Sequence, residues 1–152
     1  MRRYDSGVFQ PTNPQKYIGN AAPRFRSSLE STFFHFLDTH PSIIQWASES
    51  IRIPYRHPLT GKITTYVPDL LIMYADKNGK TRVELIEIKP SSQTSLQEAR
   101  SQHDKLHAVI NQAKWQAAIA WTKAQGIVFR IVTEHELFGG KYRTRGAKKA
   151  KK

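Results

Sequence analysis

The sequence predicts an α/β fold, a mixed β-sheet flanked by helices in the order αβββαβ. Three observations carry this. Two apolar, β-branched runs, 67–75 and 83–88, are separated only by the turn signal Asp76-Lys77-Asn78-Gly79-Lys80. A long helical pattern follows from about Ser95 to Ala124. After Gly126 comes a third such run, Ile127-Val128-Phe129-Arg130-Ile131-Val132, which reads as a buried strand, so strands lie on both sides of a long helix.

Along the chain, residues 1–23 carry Gly7, Pro11, Pro14, Gly19 and Pro23 without period and read as an extended arm, with Tyr4, Phe9, Tyr17 and Ile18 available as tethers. Ser27 or Ser28 can cap a helix with Glu30 in its first turn. Leu29, Phe33, Phe36 and Leu37 recur at helical spacing until Pro41. Ile43, Ile44 and Trp46 read as a short second turn packed on that helix. Ile51 to Tyr55 alternates like a strand, Pro58 to Lys62 is a turn, and Ile63 to Tyr66 leads into the first long run. In the long helix, Leu106, Ile110, Ala113, Ala117, Ala120 and Ala124 form the expected inner stripe. Thr133 or Glu134 opens a last short helix, and Gly139-Gly140 releases a tail. The chain divides into an extended basic arm (1–26), one folded domain (27–138) and a basic flexible tail (139–152).

The formal charge of +12 is unevenly placed. The arm carries +4 and the tail +7, which leaves +1 for the domain between them. Basic arms on a nearly neutral body suit a polyanion, because each Lys or Arg meeting a phosphate releases counterions. The absence of cysteine excludes disulfides and thiolate metal sites. No apolar run is long enough to span a bilayer, and no secretion signal follows Met1.

The turn between the two long runs decides what chemistry is possible. A two-residue Asn78-Gly79 turn would set Asp69 opposite Ile88. A three-residue bulged loop, with Gly79 left-handed, pairs Asp76 with Lys80 and sets Asp69 opposite Glu87. Opposite residues share a face, and so do residues two apart in a strand. The bulged register therefore gathers Asp69, Glu87 and Lys89, a cluster that is costly to bury unless its members pair or hold a ligand. We expect this register. Asp69, Glu87 and the Ile88 carbonyl offer oxygen ligands to Mg²⁺, which prefers oxygen and keeps several waters. Lys89 is placed to orient or deprotonate a water, or to steady charge building on a phosphate. Glu30 is a further candidate ligand as well as a first-turn acid suited to the helix dipole. Glu84 falls on the opposite face and is discounted, while Glu49 stays a rival. Lys114 on the long helix can reach a phosphate or be solvated. His103 and His107, four apart, lack an acidic partner and read as an exposed face. The candidate DNA contacts are Lys114, Arg24 and Arg26, with Lys141, Arg143, Arg145, Lys148 and Lys149 in the tail.

Val67-Pro68-Asp69 with Glu87-Ile88-Lys89 downstream and Glu30 on a leading helix resembles the PD-(D/E)xK nuclease superfamily. Tyr66 to Leu71, Ile86 to Pro90, Lys114-Trp115, Trp121 and Gly126 to Phe129 resemble the TnsA-type transposase endonuclease domain. Asn13 to Gly19, Arg26 to Glu30 and Trp46 to Glu49 are similar to the head completion nucleases of T4-like tailed bacteriophages. The resemblance implies a restriction-endonuclease-like core and Mg²⁺-dependent DNA cleavage, with Mn²⁺ able to substitute. It implies Asp69, Glu87 and Lys89 as the catalytic set and Glu30 as the helix carboxylate. It further implies DNA and phage head or neck proteins as partners, with action in the host cytoplasm during assembly or retention in the virion. Two alternatives are a non-catalytic DNA-binding protein of the phage neck and a junction-resolving nuclease.

Overall fold

The computed structural model describes residues 6–95 and 99–139, with side chains as far as residue 136. The tail candidates Lys141, Arg143, Arg145, Lys148 and Lys149 lie outside the described residues, as does Tyr4. The elements are β1 (Gly7–Val8), β2 (Arg24–Phe25), α1 (Ser28–Thr39), β3 (Ile43–Ser48), β4 (Ile53–Arg56), β5 (Ile63–Tyr66), β6 (Leu70–Ala75), β7 (Thr81–Ile88), α2 (Gln102–Gln125), β8 (Val128–Val132) and α3 (Glu134–Gly139). The main sheet runs β3-β6-β7-β8. Its first three strands are antiparallel neighbours, and β8 joins β7 in parallel after the α2 crossover, so the sheet is mixed as expected.

Each sheet face has its own core. Phe33, Phe34 and Leu37 of α1 pack on Trp46, Leu70, Ile72, Ile86 and Val132 on one face. On the other face Trp115 and Ala118 of α2 pack with Leu85 and with Ile53, Tyr55 and Tyr66 of a separate β4–β5 ribbon. Residues before α1 are fastened over the first core. Phe9 and Tyr17 meet Trp46 edge-on, and the fully buried Asp38 accepts hydrogen bonds from the backbone of Thr12 and Asn13.

Two expectations need correction. Ile43 to Trp46 is not a turn but the start of an edge strand of the main sheet. A register irregularity between Ile43 and Gln45 lets Ile43 and Trp46, three residues apart, face the same core, and that spacing imitates a helix. α2 begins at Gln102 rather than near Ser95, capped by the Ser101 hydroxyl accepting from Asp104 N–H. Its inner stripe is Ala108, Asn111, Trp115, Ala118 and Thr122, rotated from the predicted one, and Leu106 is exposed. Asn111 donates to the Gln93 carbonyl and Thr122 to the Ala118 carbonyl. Polar residues on the inner face thus hide the helical period from a reading based on apolar residues alone.

Candidate active site

The β6–β7 loop sets the register of the site. Asp76 N–H donates to the Lys80 carbonyl, Gly79 N–H donates to the Asp76 carbonyl, and Gly79 has φ +79°. The Asp76 carboxylate accepts from the Asn78 and Lys80 N–H groups and clamps the loop. Ala75 pairs with Thr81 and Leu70 with Ile86, so one further step sets Asp69 opposite Glu87. This is the bulged register expected above.

Asp69 is held at both its backbone and its side chain. Its carbonyl accepts from Glu49 N–H at 2.9 Å, and its Oδ2 accepts from Ile88 N–H at 2.7 Å. Glu87 is buried, and its Oε1 accepts from the Tyr66 hydroxyl at 2.7 Å. Lys89 Nζ stands 3.8 Å from Glu87 Oε2. Lys114 extends from α2 over the rings of Tyr66 and Tyr55, at 5.6 and 6.0 Å from their centroids.

Glu30 does what a first-turn acid does. Its Oε1 accepts from Arg26 N–H at 2.8 Å, while Ser27 caps α1 by accepting from Glu30 N–H. Its charge raises Asp69, and Lys89 in turn pulls Glu30 down, so Glu30 shares the electrostatics of the cluster. Arg26 pairs with Glu49 at 2.8 Å, and Arg24 is exposed on β2. Glu49 takes a left-handed φ of +52° at the end of β3, which brings a carboxylate back toward Arg26 and Glu30.

The electrostatics show a shortage of positive charge. Burial pushes the Asp69 carboxyl well above the ordinary range, and Glu87 and Glu30 push it further; the Ile88 N–H and Lys89 only partly oppose this. Burial likewise raises Glu87, against the pull of Lys89, Tyr66 and Lys114. Glu30 is raised by burial too. Burial first, then the neighbouring Lys89, lowers Lys114, while Glu87 and Asp69 pull it back up. His107 is lowered by burial first, then by His103, Lys89 and Lys114, and its ring meets that of the exposed His103 at 4.3 Å.

Among the described residues, no three His, Asp or Glu side chains gather closely enough to hold an ion unaided. The buried Glu87 facing the half-buried Asp69 still suits Mg²⁺, which is bound through one or two carboxylates and fills its other positions with water and substrate oxygens. Glu84 stands apart on the other face with Arg130 and Tyr74. Sequence reasoning missed Tyr66 as the partner of Glu87. Its signal was its place just before Val67-Pro68-Asp69 at the end of a strand whose partner, Ile53, is buried.

Residues 40–134 match the family model described as TnsA-like endonuclease N terminal. The head completion nuclease of Enterobacteria phage T4 is 34% identical over 143 residues, covering 87% of this chain and 93% of that protein. The match to the family model takes in the whole main sheet and α2, and it leaves α1 with Glu30 outside.

Proposed function

This chain belongs to the TnsA-like endonuclease family, and on that premise we propose that it is a Mg²⁺-dependent DNA endonuclease acting in phage head completion. The observation that carries the reading is the meeting of Asp69 and Glu87 on adjacent strands, short of positive charge, with Lys89 and Lys114 beside them. Asp69, Glu87 and the Ile88 carbonyl would hold the cation, with Glu30 as the helix carboxylate of the set. A bound Mg²⁺ supplies charge neutralisation at the scissile phosphate and a more acidic water.

The chain's own groups do the rest. The Tyr66 hydroxyl and the Ile88 N–H fix the two carboxylates, so little reorganisation is needed when DNA arrives. Lys89 orients the attacking water and steadies the negative charge that grows on the phosphoryl oxygens. Lys114, partly desolvated and lifted over two tyrosine rings, faces a neighbouring phosphate. The basic residues Arg24 and Arg26 and the tail lysines and arginines track the backbone, which makes binding salt-dependent and nearly blind to sequence. Action belongs in the host cytoplasm as heads are completed, beside head and neck proteins. Among the described residues no helix is long and apolar enough to cross a membrane.

The test is cleavage of linear, nicked, branched and single-stranded DNA with Mg²⁺, Mn²⁺ or EDTA, beside Lys89→Ala. We expect cutting with either cation, none in EDTA, and a loss of about 10²–10³-fold in Lys89→Ala with DNA binding kept. Binding without cutting under any cation would replace this reading with a structural DNA-binding role. Preference for branched DNA together with dimerisation would favour junction resolution.

A further inference from the structure

The β4–β5 ribbon lies outside the main sheet, yet its root is built into the site, because Tyr66 holds Glu87 and Tyr55 and Tyr66 lie beneath Lys114. Its inner residues Ile53, Tyr55 and Tyr66 are buried, while the cross-strand pairs Pro54–Thr65 and Arg56–Ile63 face solvent. Residues 51–66 contain Arg52, Arg56, His57 and Lys62 and no acid.

The tip of the ribbon is closed by its own hydrogen bonds. Gly61 N–H donates to the His57 carbonyl and His57 N–H to the Lys62 carbonyl, both at 2.8 Å. Leu59 N–H donates to His57 Nδ1, Lys62 N–H to Thr60 Oγ1, and the Arg56 guanidinium to the Gly61 carbonyl at 2.6 Å. Gly61, at φ +73°, permits this closure. The turn nonetheless presents Leu59 at 55% and Ile63 at 61% exposure. A single exposed Leu means little. Two exposed apolar side chains on a tip closed by its own hydrogen bonds, beside Arg56 and Lys62 and on a ribbon rooted at the proposed phosphodiester site, match the wedge-and-cation pattern of proteins that open the minor groove.

We propose that this ribbon is the DNA-gripping element: its tip enters the minor groove, Leu59 and Ile63 wedge against a base step, and Arg52 and Lys62 meet the flanking phosphates. This rests on the nuclease reading and names its substrate class. The root of the ribbon sets the wedge at a fixed distance from the scissile phosphate. Unstacking is least costly at nicked, mismatched or branched steps, so duplexes carrying such a step are the favoured substrates.

The test uses the full chain carrying Lys89→Ala, in EDTA, with a duplex bearing 2-aminopurine, and reads anisotropy across salt concentrations together with 2-aminopurine fluorescence. The parent binds and raises the fluorescence. Adding Leu59→Ser with Ile63→Ser abolishes the rise and weakens binding by about tenfold, from the lost apolar burial. Lys62→Ala instead keeps the rise and lowers the slope of log K against log salt by about 1. Lys77→Ala with Lys80→Ala, exposed at the far end of the sheet, leaves both readouts unchanged. All these positions are exposed, and circular dichroism checks the fold. Unaltered fluorescence in the serine pair, or equal weakening by the far-end pair, would overturn the proposal. A protein that unstacks DNA but whose Lys89-intact form never cuts it upholds the ribbon and rejects the nuclease reading. One that cuts DNA without unstacking it does the reverse.

Discussion

β7 carries two buried glutamates, three residues apart and on opposite faces, and they are treated very differently. Glu84 is saturated. The Arg130 guanidinium donates to both of its oxygens at 2.9 and 2.7 Å, and the Tyr74 hydroxyl adds a third bond at 2.7 Å. Glu87 has one tyrosine hydroxyl, a lysine 3.8 Å away, the weaker pull of Lys114 and of the Asp69 backbone, and a second carboxylate opposite it. A carboxylate buried for structure arrives with its full complement of partners. One left short of positive charge, beside another carboxylate, is poised for a cation that the chain itself does not supply.

The comparison sharpens when each glutamate is neutralised in turn. Glu87→Gln should cut cleavage by about 10²-fold or more with little loss of stability, since an ion short of partners is replaced by a neutral amide. Glu84→Gln should do the opposite. It removes the charge that the Arg130 guanidinium grips and costs about 2 kcal/mol, less than a fully buried pair because Arg130 is a third exposed, while cleavage per folded molecule persists. Denaturant titration and single-turnover cleavage read the two effects. Equal behaviour of the two variants would dissolve the distinction.

A smaller effect appears in the pH dependence. Asp69, Glu87 and Glu30 are all raised, so between the ordinary carboxyl range and their raised values the folded protein holds protons that the unfolded chain releases. Without divalent cation, their penalty is absent below the ordinary range and grows as pH rises through the raised range. Asp76, Glu134 and Glu136 are lowered and act in the opposite sense, gaining stability above the ordinary range and losing it as pH falls. The clean quantity is therefore the difference between Asp69→Asn and wild type. In EDTA, the melting-temperature advantage of Asp69→Asn should widen from pH 4 upward, and excess Mg²⁺ should shrink it most at the high end. A difference that is flat with pH would mean that the site carries no excess negative charge.

The smallest effect belongs to Tyr66→Phe. Losing one bond to a buried carboxylate should cost about 1–2 kcal/mol of stability or of transition-state stabilisation. Comparing the melting temperature and the cleavage rate of this variant shows which of the two carries the loss.

How much of this was legible in the sequence follows from the kind of information each part needs. The register of the candidate site was legible because turn chemistry is local: Asp76, Asn78 and Gly79 specify a bulged loop, and a period of two then carries Asp69 to Glu87. The edge strand at Ile43 was not, because an irregularity changes the period that identifies strands. The inner face of α2 was misread because Asn111 and Thr122 point inward, the first bonded to the Gln93 carbonyl outside the helix and the second to the Ala118 carbonyl of its own preceding turn, so hydrogen bonding overrides hydropathy. The capping of α1 by Ser27, with Glu30 in the first turn, was legible for the same local reason, whereas the Tyr66–Glu87 bond depends on how the β4–β5 ribbon packs against β7, which no local pattern encodes.

The most direct measurement is Mn²⁺ binding followed by electron paramagnetic resonance in four proteins: wild type, Asp69→Asn, Glu87→Gln and Glu84→Gln. The account predicts that wild type and Glu84→Gln bind the ion with the same affinity, while Asp69→Asn and Glu87→Gln each lose it by at least about tenfold. Mn²⁺ held equally by all four proteins would contradict it.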